Sequence, residues 1–169
     1  MRHSIIRTCG ALVLLLPMAC ASQAEPGDDA PPLAAYVGKY VHDKVGGVAF
    51  LDHPKVRAAI EASGAPADAK ELLRETDAVV TPLIRVGDDR LYARGFEAAS
   101  GGDVNWGLLI AADGSVAAVC YSQPVDRNNR TAEWYARGEK AFFLSEMCPS
   151  EAEEMTGSFG TWPIGPIPS

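Results

Sequence analysis

The amino-acid sequence predicts an α+β domain: an antiparallel β-sheet of about five strands with two or more short helices packed on it. Three observations carry that expectation. Residues 54–76 repeat apolar side chains at helical spacing, whereas residues 79–144 alternate short apolar runs with turn residues. Asp113-Gly114 stands between two of those runs and is the strongest short-range hairpin signal in the chain. Helices first and a meander afterwards put the helices on one face of an antiparallel sheet.

The first helix is expected to start at Pro54, after Asp52-His53, because proline is tolerated in a first helical turn. Val56, Ala59, Ile60 and Ser63 then share a face, and Gly64 ends the run. A second start at Pro66-Ala67-Asp68 leads into Ala69, Leu72, Leu73 and Thr76, again one face. Helices this short need a flat partner to pack on. Val79 to Val86 reads as a strand whose Pro82 confines it to an edge or a bulge. Gly87-Asp88-Asp89 turns the chain into a returning strand, Arg90 to Phe96. Trp106 to Ala112 reads as a buried strand, and Asp113-Gly114 as a two-residue turn into Val116 to Tyr121. Thr131 to Arg137 is a further strand after the polar loop 126–130, residues 141–144 add a short one, and Ser150 to Met155 start a terminal helix.

The ends read differently. Arg2 and Arg7 precede the short apolar core Ala11 to Leu16, and the small-residue frames Ala19-Cys20-Ala21 and Ser22-Gln23-Ala24 follow, so residues 1–24 read as an export signal cleaved after Ala24. Cys20 behind Ala19 also fits the lipid-bearing residue of a lipoprotein. The protein is therefore expected in the periplasm or outside the cell, free or lipid-anchored to the envelope. Residues 25–32 form a polar, proline-rich linker, 33–156 a single α+β domain, and 157–169 a Pro/Gly-rich tail whose Phe159, Trp162, Ile164 and Ile167 suit docking on its own domain.

Export changes the arithmetic. The chain has 169 residues, one domain's worth, with 15 Lys and Arg against 22 Asp and Glu and a net charge of −7. Without residues 1–24 the count is 13 against 22, net −9. Nucleic-acid partners are excluded by that balance. No apolar run reaches the roughly 18–20 residues of a membrane span. Cys9 and Cys20 leave with the signal, and the remaining Cys120 and Cys148 are most simply a disulfide in an exported protein. Two cysteines without companion histidines or a Cys-x-x-Cys pair make no metal site, and no cofactor is expected.

Catalytic signals are weak. His42 and His53 stand near no nucleophile motif, Glu151, Glu153 and Glu154 read as an exposed helix face, and Asp88-Asp89 as a turn. No catalytic residue is assigned, and the protein is expected not to be an enzyme. The alternative is a small-ligand-binding or enzymatic envelope domain, whose pocket Trp106, Tyr121, Trp134 and Tyr135 would line. The more unusual segment is Gly95 to Asp103, small and glycine-bearing, a flexible loop between two strands. Loops of that kind carry binding more often than packed elements do.

The run Phe50 to Ile60 resembles the first-helix region of the inhibitor of vertebrate lysozyme family. The order that follows is similar as well: a second helix, a strand pair, a loop, Asn105-Trp106 and the Asp113-Gly114 hairpin, over about residues 36–150. The resemblance implies a periplasmic α+β domain that binds lysozyme through a protruding, disulfide-closed Cys-x-x-His-x-Cys loop. Here that loop falls on Phe96, Glu97, Ala98, Ala99, Ser100 and Gly101, continuing through Gly102 and Asp103. Phe96 stands at the first cysteine, Ala99 at the histidine and Gly101 at the second cysteine. The expectation is thus a binding protein with a protein partner, cationic and lysozyme-like, that inhibits vertebrate lysozyme weakly or not at all; a homodimer is allowed. Without its disulfide the loop is expected to lack preorganisation and to lose affinity on ordering.

Overall fold

The computed structural model describes residues 30–126, 129–144 and 147–151, and for 142–144 the backbone alone. A small hairpin of β1 (Lys44–Val45) and β2 (Val48–Ala49) precedes helices α1 (Pro54–Ala62) and α2 (Ala67–Arg74). The strands β3 (Val79–Val80), β4 (Ile84–Val86), β5 (Arg90–Phe96), β6 (Asn105–Ala111), β7 (Ala117–Pro124), β8 (Arg130–Ala136) and β9 (Glu139–Leu144) follow. They make one antiparallel sheet ordered β3-β5-β6-β7-β8-β9, with β4 on the same edge of β5 as β3.

The α+β class is as expected, but the strand count is not five: the main sheet has seven strands and β1-β2 form a separate pair. The physical reasons are local. Pro82 has no N–H for a ladder, so the Val79 to Val86 run divides into β3 and β4, which pair with different stretches of the edge of β5. Gly46-Gly47 between Val45 and Val48 closes the small hairpin ahead of the helices. The tight two-residue turn is Arg137-Gly138, both with positive φ (54° and 88°), which joins β8 to a full-length β9. Asp113 does not take the positive φ that such a turn demands, and Ala111 N–H bonds the Val116 carbonyl around a longer loop.

Both helices form where their patterns place them. His53 caps α1, its Nδ1 accepting the Lys55 N–H at 3.2 Å while Nε2 donates to the Pro31 carbonyl at 3.0 Å. One neutral tautomer satisfies both contacts. The linker's last residues are therefore anchored at Pro31, and residues 25–29 lie outside the described residues, as do the expected signal, Cys20 and the tail. The terminal helix expected over 150–155 lies outside them beyond Glu151. Val56, Ala59 and Ile60 are buried from α1 and Ser63 from the residue that caps its end, and Ala69, Leu72 and Leu73 from α2; Thr76 lies past the end of α2 and is exposed.

α1 lies against β7 and α2 against β6, covering one face of the sheet. That core holds Tyr36, Phe50, Val56, Leu73, Trp106, Leu108 and Ile110. The other face carries a smaller core of Val86, Tyr92, Leu109, Ala132, Trp134 and the cysteines 120 and 148. β6 is buried at every residue because both faces are covered, which explains its continuous apolar run.

Candidate functional site

β5 and β6 pair along their whole length, from Arg90 with Ala111 to Phe96 with Asn105, and so carry the connecting loop at one end of the sheet. This is the segment singled out by sequence, and the structure brings residues 96–103 together there. Phe96 is half-buried at the end of β5; Ala98, Ala99 and Gly101 are exposed, while Glu97, Ser100, Gly102 and Asp103 are partly covered.

Ser100 organises the loop. Its Oγ donates to the Glu97 carbonyl at 2.9 Å and accepts the N–H groups of Gly102 at 3.3 Å and Val104 at 3.1 Å. Backbone bonds add to it: Glu97 N–H to Val104, Ser100 N–H to Glu97 and Asp103 N–H to Ser100. A single 3-10 turn, Ala98–Ser100, results, closed by Gly101 and Gly102 in left-handed conformations (φ 64° and 95°) that a side chain would strain. The loop thus carries its own set of hydrogen bonds without a disulfide across it. Sequence reasoning placed Ser100 in the loop but missed its role in closing it, although a serine followed by two glycines is an ordinary signal for a side-chain-closed turn.

Two neighbours fix the loop from outside. Asp103 pairs with Arg130 on β8. The Asn105 side chain, fully buried, donates through Nδ2 to the Gly102 carbonyl at 3.0 Å and accepts the Cys148 N–H on Oδ1 at 3.1 Å. Cys148 is joined to Cys120 by a disulfide, as expected from the cysteine count. Closing that span stabilises the fold by roughly 3–4 kcal/mol in the chain-entropy model.

Glu97 of the loop stands near other carboxylates. Burial pushes the Glu75 carboxyl up from its ordinary range, and the carboxylates of Asp77, Glu97 and Glu71 push it further. Burial likewise raises the Tyr121 phenol, with Asp68, Glu97 and Glu75 adding to it. Glu71, Glu75, Asp77 and Glu97 therefore repel one another at the end of α2, where Lys70 and Arg74 also stand, both paired with Glu61; a cation there would relieve the repulsion left over.

The aromatic residues of the alternative pocket do not converge. Trp106 packs in the helix-side core and Trp134 in the core of the opposite face, both fully buried; Tyr121 and Tyr135 are half-buried on the helix side. Tyr135 donates to Glu133, and burial with that carboxylate raises its phenol. Among the described residues no group of three or more His, Cys, Asp or Glu is placed to hold a metal ion, and no helix is long and apolar enough to cross a membrane. A groove of about 330 Å³ beside His53 is lined by Pro31, Lys55 and Asp113, at the start of α1 rather than near the loop. No family model, no curated protein and no solved structure matches the chain.

Proposed function

We propose that this is an exported, non-enzymatic binding protein of the lysozyme-inhibitor-like type, which meets a cationic protein partner through residues 96–103. The observation that carries this reading is the Ser100-held turn, which presents Ala98, Ala99 and Gly101 beside the acidic surface of Glu71, Glu75, Asp77 and Glu97. A loop ordered before contact loses little entropy on binding, and an acidic rim steers a basic partner toward it. The chemistry of inhibition is another matter. Ala99 offers no imidazole to a catalytic carboxylate, and Glu97 would repel one.

Purified residues 25–169 should therefore bind a basic lysozyme in a salt-weakened manner and leave its hydrolytic activity largely intact. Nanomolar inhibition would show that the loop chemistry has been misread. Absence of any salt-sensitive binding to basic proteins would remove the cationic partner.

A further inference from the structure

We propose that the Cys120–Cys148 disulfide is a redox lock on the 97–103 loop, acting through Asn105. The two sites are joined by a short chain of contacts. The disulfide holds Cys148 on β7; the Cys148 N–H bonds Asn105 Oδ1 at 3.1 Å; Asn105 Nδ2 bonds the Gly102 carbonyl at 3.0 Å. Asn105 is fully buried, so each half of its amide needs the partner it has.

The cross-link matters because, among the described residues, it is the covalent tie between residues 147–151 and the sheet. The described polar contacts of that segment to the sheet are the Asn105 bond and a 2.6 Å bond from Tyr92 Oη to the Pro149 carbonyl, besides contacts of Ser150. A few hydrogen bonds do not offset the entropy of ordering that stretch of chain. Cut the disulfide and the segment lifts, Asn105 Oδ1 is left without the Cys148 N–H, and its amide turns toward water or another acceptor. The Gly102 bond is then lost and the loop loosens, while β5 and β6 keep their ladder.

Reduction is a thiol–disulfide exchange with a dithiol. One reductant thiolate attacks Cys148 Sγ, on the slightly less buried of the two cysteines, and Cys120 leaves as the thiolate. The second reductant thiol then displaces Cys148. The dithiol becomes a cyclic disulfide, and its two electrons and two protons end on Cys120 and Cys148 as thiols. The coupling is a property of the fold; only its use as a control on partner binding rests on the function proposed above.

Amide hydrogen exchange on the full exported chain tests it, oxidised and then reduced with dithiothreitol, with thiols counted by mass. Exchange at Gly102, Asp103 and Val104 should rise roughly tenfold on reduction, the effect of losing about one buried hydrogen bond, with Leu108 and Leu109 unchanged. Asn105→Ala in the oxidised protein should give the same rise, and reduction should add little to it. Loop amides that ignore reduction would overturn the lock. So would a rise shared by every amide of β5 to β8, which would make the disulfide a staple of the whole fold. Lysozyme binding, measured separately, can fail without touching either result.

Discussion

Gly64 meets Gly138 backbone to backbone: a Cβ on Gly64 would stand 2.3 Å from the Gly138 carbonyl carbon. The Gly138 N–H also bonds the Ser63 carbonyl at 3.1 Å, so the end of α1 is seated on the β8–β9 turn. Gly64→Ala should therefore cost about 2–4 kcal/mol, from left-handed strain at φ 81° together with a clash that no side chain can absorb. Gly138→Ala, whose Cβ would meet open space, should cost only about 1 kcal/mol of strain. Urea midpoints of the two variants check the order. Equal losses would mean that the close approach does not constrain the helix.

Both partners of that contact bear on what could be read in advance. Gly64 was legible as a helix stop, because a glycine after an apolar stripe is a local signal. Its contact with Gly138 was not, since it joins residues far apart in sequence. Arg137-Gly138 is a poor turn signal by composition, yet it joins β8 to β9 where the two strands pair; Asp113-Gly114 is a strong signal that the docked loop did not follow. The helices and β5 were legible nearly to the residue because their periodicity and caps agree. At the candidate site the segment was legible, but its latch was not. Ser100 and Asn105 act through side-chain bonds to backbone, and hydrophobic patterning is blind to those.

Removing the latch should act locally. Ser100→Ala takes away the acceptor for Gly102 and Val104 N–H and the donor to Glu97. Because the loop borders water, the loss should be about 1 kcal/mol. Hydrogen exchange should rise at Gly102 and Val104 while the unfolding temperature falls by no more than about 2–6 °C. A large drop in that temperature would make the loop part of the core rather than an appendage.

Acid should weaken the α1 cap. Burial, opposed in part by the Pro31 bond and helped by Lys55, lowers the His53 pKa in the folded protein. The unfolded chain then binds the proton more readily, so this contribution is full above about pH 6.5 and is lost as pH falls through the folded value. Protonation also turns Nδ1 from the acceptor of the Lys55 N–H into a donor. His53→Asn keeps a cap acceptor without titrating. Urea midpoints measured at about pH 8 and about pH 5 should fall less for this variant than for the parent. Identical falls would place the acid sensitivity elsewhere.

The lysozyme-inhibitor likeness has its own discriminating variant. Phe96→Cys, Ala99→His and Gly101→Cys together restore the loop chemistry that the resemblance implies and this chain lacks. The third change puts a side chain at φ 64°, costing about 1 kcal/mol of strain. A closed disulfide across the loop should offset that cost, and the native pair is already closed and buried. If the frame around the loop matches that family, lysozyme inhibition should rise in the triple variant well above both the parent and Ala99→His alone, because imidazole and fixed geometry are needed together. A triple variant whose mass shows both disulfides closed, yet which inhibits no better than the parent, would mean that the likeness stops at the order of elements. The acidic surface would then be the feature left to define the partner.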